Sequence, residues 1–120
     1  MVNVLLTLRN QVKIYHWQTY KYPRHIATDG LTATLDTLID NFVEVYMGKY
    51  GRPKFSGKNS HIILENFTEK HGVKVIDDGI HYLLTVPNKK LDSKKDSDLL
   101  NIRDEILGEL NKIKYLFTLS

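Results

Sequence analysis

Histidine and carboxylate side chains recur along one stretch of the chain at intervals that place them on a single helical face: His25, Asp29, Asp36, Asp40 and Glu44. At about 100° per residue, all five fall within an arc of about 100° measured from His25. Imidazole nitrogen and carboxylate oxygen are the donors that hold iron, zinc and related divalent ions. Between His25 and Gly48 there is no lysine or arginine, so the stripe carries no cation of its own. Like charges four apart cost about 0.2–0.5 kcal/mol per pair on an isolated helix. Beside an interface the cost is far larger unless a cation or protons neutralise them.

One helix cannot close this stripe around one ion. Asp29 and Asp40 are eleven residues apart, about 16 Å along a helix axis, whereas ligand atoms lie about 2 Å from a metal. Either two separate sites exist or one site is shared between copies. A twofold axis near Asp36 would pair two copies of this helix antiparallel, bringing His25 and Asp29 of one beside Asp40 and Glu44 of the other. Twofold dimers are the commonest oligomers. His16, just across a short corner, could reach the same place.

The elements that must carry these residues are helical. A first helix over about residues 3–19 has Leu5, Leu8, Val12 and Tyr15 on one stripe. After Tyr20-Lys21-Tyr22, a second helix over about residues 23–49 starts at Pro23, ends near Gly48 and Gly51, and has Ala27, Leu31, Leu35, Leu38, Phe42 and Val45 as its apolar side. Residues 51–66 are irregular and can stretch to about 50 Å, enough to run the length of a bundle, as a ferritin-type connection must. A third helix follows Val73, Ile76, Ile80, Leu83 and Leu84. Gly72 and Gly79 each weaken it by about 1 kcal/mol relative to alanine, and Pro87 is expected to end it. A fourth helix from Ser97, as its cap, to Leu119 carries the cleanest stripe: Leu99, Ile102, Ile106, Leu110, Ile113 and Phe117. The expected fold class is all-α: one domain over residues 1–120, built as a ferritin-like antiparallel four-helix bundle with a long connection between helices 2 and 3.

His16-Trp17, the short corner, and then His25, Asp29, Asp40 and Glu44 together resemble the ferroxidase motif of the Dps mini-ferritins. In that family a His-Trp type dipeptide ends the first helix, and the second carries His, Asp, Asp and Glu at steps of four, eleven and four, as here. The resemblance implies that His16, His25, Asp29, Asp40 and Glu44 are metal ligands. It further implies iron, or another divalent metal in its place, and a site split across a homodimer or a higher symmetric oligomer, with ferroxidase chemistry there. Iron oxidation would also require two metal positions or an open coordination site. The stretch Val43 to Arg52 resembles a family of small ferritin-like proteins of marine phages and large DNA viruses. That implies a viral protein in a host cytoplasm. The chain departs from the Dps pattern in a corner three residues shorter, in a shorter overall length, and in lacking a lysine-rich tail before the first helix.

Composition narrows the alternatives. The 120 residues are 42% hydrophobic and 26% charged, with no cysteine and a net charge of +3, an ordinary globular make-up without thiolate sites or disulfides. That charge does not demand a nucleic-acid partner, and the lysines at 89, 90, 94 and 95 are mixed with Asp92, Asp96 and Asp98, so none is expected. No apolar run approaches the roughly 18 residues of a membrane span, so no membrane partner is expected either, and a cytoplasmic setting is. An acidic helical stripe is ordinarily a solvated face, Trp17 a packing residue at a bundle end, and His61, His71 and His81 surface or capping residues. Two other functions fit less of the pattern. One is a non-enzymatic structural or interaction bundle with a residual acidic face. The other is an all-α nucleotide pyrophosphohydrolase, which would use acidic pairs on two helices and no histidine.

Overall fold

The computed structural model describes residues 1–119. Among them are four α-helices and no strand: α1 Val2–Gln18, α2 Tyr22–Tyr50, α3 Glu69–Lys90 and α4 Ser97–Leu116. The apolar stripes explain the packing. Leu5, Leu8, Val12 and Tyr15 of α1 are buried together with Leu31, Leu35, Ile39 and Phe42 of α2 and the whole stripe from Leu99 to Phe117 on α4. From α3, Ile76 and Leu83 reach the same core. Each such side chain contributes about 1.5–3 kcal/mol by leaving water. Helix α2 packs on α1 and α4, and α3 packs on the same two. No helix among the described residues is long and apolar enough to cross a membrane.

Named contacts fix which residues face each other. Between α1 and α2, the His16 ring lies on His25 and Arg9 pairs with Asp36. Between α2 and α4, Arg24 sits over the Phe117 ring and Lys49 pairs with Asp98. Between α3 and α4, Asp77 pairs with Lys114. Residues 51–68 contain one short 3-10 turn, Gly57–Ser60. Pro53, Lys54, Phe55 and Asn59 line a cavity of about 150 Å³ with Met1, Val2 and Asn3. Further on, the Glu65 and Phe67 N–H groups donate to the side-chain oxygens of Gln11 and Gln18.

Three expectations are corrected. Pro87 does not end α3, which continues to Lys90. Proline leaves the carbonyl four residues earlier without its helical donor, and here the Arg103 guanidinium donates to that Leu83 oxygen at 2.9 Å and to Asn88 Oδ1 at 2.9 Å. A side chain from α4 thus replaces the missing hydrogen bond. Ser97 is the first residue of α4 rather than its cap, and the helix ends at Leu116 rather than Leu119. Asp96 holds the cap position, but its buried carboxylate instead accepts from the Tyr50 hydroxyl and the Asp92 N–H. That bond to Asp96 pushes the Tyr50 hydroxyl up to about 12. Trp17 does not pack at a helix end: it is 65% exposed, with the Lys13 ammonium 5.6 Å from its ring centre.

The two glycines that weaken α3 mark where it approaches its neighbours. A Cβ on Gly72 would come far inside van der Waals contact with the Tyr15 ring, and one on Gly79 would lie 3.1 Å from Leu8 and 3.2 Å from Leu110. Tyr15 cannot move aside, because it is buried and its hydroxyl is bonded to Glu69 and Arg24. Gly108 on α4 faces open space. Alanine at the two positions is therefore expected to act with opposite sign. Gly72→Ala should cost about 1–3 kcal/mol by overpacking, whereas Gly108→Ala should stabilise by up to about 1 kcal/mol. Urea denaturation of the two variants beside wild type measures both.

Candidate functional site

The corner between α1 and α2 is three residues long, Thr19 to Lys21, and a carboxylate holds it. Glu69, the first residue of α3, accepts from the Thr19 hydroxyl at 2.9 Å, from the Tyr20 N–H at 2.8 Å and from the Tyr15 hydroxyl. Arg24 adds its charge at 3.4 Å and donates to the Glu69 backbone oxygen at 3.1 Å. Burial raises the Glu69 pKa, but these donors together with Arg24 outweigh it and leave the carboxyl below its ordinary value.

On the other side of this corner His16 and His25 clasp each other's backbone. His16 Nδ1 lies 2.7 Å from the His25 carbonyl oxygen, and His25 Nδ1 lies 2.9 Å from that of His16. The rings stack with centroids 3.9 Å apart and planes 15° from parallel. One of these bonds completes α1. The last four carbonyls of a helix lack intrahelical partners; the Thr19 N–H takes that of Tyr15, and the His25 ring takes that of His16.

The hydrogen-bond network also assigns the imidazole protons. A carbonyl oxygen can accept but not donate, so each Nδ1 that faces one carries the hydrogen. In the neutral rings, the lone pair is then on Nε2 in both. A ring nitrogen fixed by Nδ1–H to a backbone carbonyl is the usual arrangement of a metal-ligating histidine. His16 Nε2 stands 4.0 Å from Asp29 Oδ1. A lone pair facing a carboxylate repels it unless a proton or a metal ion lies between them. Two metal–ligand bonds of about 2.0–2.2 Å span that gap only at a wide angle, about 130° or more, and Asp29, with its side chain 68% exposed, is free to close to a tighter geometry. His16 Nε2 and the Asp29 carboxylate are two donors of the kind nitrogen-preferring divalent ions take, and within one chain they are short of a complete set.

The five predicted ligands divide into two groups. At the corner His16 stacks on His25 and stands 4.0 Å from Asp29, while Asp40 and Glu44 lie farther along α2, both exposed. Neither has a hydrogen bond or ion pair among the described residues, and no group of three or more His, Asp or Glu side chains there could hold a metal within one chain. Asp36, between the two groups, is held by Arg9 at 2.6 and 3.2 Å.

Sequence reasoning passed over Arg9, Glu69 and Thr28. Thr28 is fully buried, and its hydroxyl lies 3.0 Å from His16 Nδ1. A signal for it existed: Thr28 and Thr32 lie between the apolar arc of α2 and the histidine and carboxylate stripe, and hydroxyls buried at such an edge require partners.

A family of unknown function, DUF5856, matches residues 16–117. That range is most of the chain and contains all five candidate ligands. No curated protein and no solved structure matches it.

The Glu69 carboxyl makes the corner sensitive to acid. Its folded pKa is lowered from 4.5, so its contribution is complete above the unfolded value and lost as the pH falls through the folded one. Glu69→Gln should cost about 1–3 kcal/mol at neutral pH and lose less stability than wild type on acidification below about pH 4.5. Urea midpoints at pH 7, 5, 4 and 3 give both quantities, and parallel pH curves for the two proteins would contradict the assignment.

Proposed function

This chain belongs to the DUF5856 family, and we propose that it is a ferritin-like protein that binds iron at a site shared between two copies. His16, His25 and Asp29 of one copy would face Asp40 and Glu44 of the other. The observation that carries this reading is the histidine clasp, which commits both Nδ1 atoms to backbone oxygens and leaves the His16 Nε2 lone pair 4.0 Å from an exposed carboxylate.

The order of contacts supports a ferritin-type arrangement. Along α1 the residue numbers fall from His16 to Arg9 as their α2 partners rise from His25 to Asp36, and α2 and α4 are related likewise through Arg24–Phe117 and Lys49–Asp98. Residues 51–68 start beside Met1 and reach Gln18, consistent with a connection that runs the length of an antiparallel bundle. The Arg9–Asp36 pair supports the twofold interface. Two copies of Asp36 near an axis would repel each other, and each already has a guanidinium bound to it.

Neutral imidazole and carboxylate donors suit ferrous iron. Iron is substrate in this reading: each ferrous ion oxidised passes one electron to dioxygen. The chain's own part is to fix the ring nitrogens, supply carboxylates from two subunits and offset the charge of the stripe. A second reading, a structural or interaction protein, draws on the solvated state of Asp40 and Glu44 within one chain.

Both readings are separated by anaerobic ferrous titration followed by exposure to air. Asp29→Ala and the double change Asp40→Ala, Glu44→Ala alter exposed side chains, so folding should be retained. Saturable binding and ferric absorbance are expected in wild type, with loss in each variant. Unfolding and refolding the two variants together should restore about a quarter of the wild-type sites, since half of the random dimers are mixed and each of those holds one complete site of two. Failure of the mixture to recover would exclude the shared site, and no binding by wild type would leave the structural reading.

A further inference from the structure

Helices α1 and α3 come closest where Gly72 meets Tyr15 and Gly79 meets Leu8, and beside those contacts a groove opens. Val4, Leu8 and Gln11 of α1 line a cavity of about 510 Å³ there, together with Val75 and Gly79 of α3 and Ile63 of the connection. Small-molecule sites have about this size, 300–1,000 Å³. No residue of α2 takes part, so the groove is separate from the histidine corner. Ile63 lines it and is nevertheless 74% exposed, an apolar wall with nothing packed against it.

Gln11 is buried in the same wall, with 5% of its surface exposed. The Glu65 N–H donates to its Oε1 at 3.3 Å. An N–H can only donate, so the amide oxygen faces Glu65 and the NH₂ group is fixed on the other side. That Nε2 has no hydrogen-bond partner among the described residues, yet it is not sealed from solvent. Donors of a buried amide that stay unmet are costly, and such groups are regularly found with an acceptor. Here the acceptor has to arrive through the groove that Gln11 lines.

We propose that this groove binds a small neutral molecule with a carbonyl group and an apolar chain. The carbonyl oxygen accepts from Gln11 Nε2, and the chain lies along Leu8, Val75 and Ile63 toward Val4. From Gln11 to Val4 the groove follows seven residues of α1, about 10 Å. Charge sets the other limit on the ligand. The lining contains no lysine or arginine but has two carboxylates, Glu65 and Asp78, and only Asp78 is paired, with Lys74. A carboxylate or phosphate headgroup would be repelled there, whereas an uncharged acceptor is not.

The probes are methyl hexyl ketone, the shorter methyl butyl ketone, and octanoate, each added to the full chain and followed in ¹H–¹⁵N spectra. The Gln11 carboxamide signal, assigned by its loss in Gln11→Met, should shift saturably with methyl hexyl ketone. The shorter ketone should bind roughly 10-fold more weakly, at about 4-fold per methylene, and octanoate at least about 10-fold more weakly. Gln11→Met keeps the side-chain length and removes the donors; read from the Val75 and Gly79 backbone signals, its affinity should fall about 5-fold. Ile63→Ser alters an exposed side chain, so folding should be retained, and should weaken binding about 5-fold. Leu64→Ser is the control, since Leu64 is also exposed on the connection but lies outside the groove.

No saturable shift with methyl hexyl ketone, undiminished binding by Gln11→Met, or octanoate binding as tightly as the ketone would each overturn the proposal. So would equal weakening by Ile63→Ser and Leu64→Ser, which would place the effect in the connection rather than in the groove. Should Gln11→Met fail to fold, Gln11→Glu, which keeps an acceptor for the Glu65 N–H and lacks the donors, is read in the same way.

Discussion

Two hydrogen bonds between His16 and His25, each from a ring to the other residue's backbone, are the constraint from which the site follows. They join the last turn of α1 to the first turns of α2 across a corner of three residues, and they act on both sides of it. For α1, the His25 ring satisfies a carbonyl that would otherwise lie unpaired at the helix end. For α2, the His16 ring anchors a carbonyl in its opening turns. With both Nδ1 atoms spent in this way, the angle between the helices and the orientation of the rings are set by the same bonds. A change in the corner must change the site.

The opposite wall of the corner is built on Glu69, whose oxygens gather donors from Tyr15, Thr19, Tyr20 and Arg24. The first residue of α3 is thereby tied to the end of α1 and the start of α2, and the buried Tyr15 ring fills the space where Gly72 has no side chain. A glycine costs α3 helical propensity but admits the ring whose hydroxyl binds Glu69. Packing and electrostatics are coupled here. The close approach of α3 to α1 is what lets a carboxylate at the head of one helix hold the corner between two others.

Much of this was legible in the sequence because it depends on local periodicity. The stripes of α1 and α4 are properties of residues three and four apart, and the buried side chains there are those the spacing selects; on α2 the buried set is Leu31, Leu35, Ile39 and Phe42, with Ala27, Leu38 and Val45 only partly buried. What was misread depends on partners distant along the chain. Pro87 should stop a helix, and only Arg103, on another helix, supplies the donor that lets α3 continue. Ser97 looks like a cap until the buried Asp96 beside it is seen bound to Tyr50. Trp17 has the composition of a core residue, but its place on α1 turns it toward solvent. Within the site, the steps linking His25, Asp29, Asp40 and Glu44 were readable because they are steps along one helix. The clasp, the Arg9 pair and the Thr28 contact were not, since each joins α1 to α2 at a register that periodicity alone does not specify.

The bland explanation of the two histidines is that they are structural, closing a helix end and a tight corner. That accounts for their Nδ1 atoms. It does not account for a histidine in either position, because an asparagine or a serine could donate to a carbonyl with a smaller side chain. Imidazole differs from those donors in carrying a second nitrogen, and when the first is committed to a carbonyl the second becomes a base. With Nε2 standing 4.0 Å from Asp29, lone pair and carboxylate repel until a proton or a cation lies between them. The same holds for the rest of the stripe: Asp36 is given a cation, while Asp29, Asp40 and Glu44 are left without one on a helix face that bears no lysine or arginine from His25 to Gly48. A stable monomer gains nothing from that distribution. A cation arriving from solution would stabilise it, and a second copy of α2 laid across the first would bring the remaining carboxylates to it.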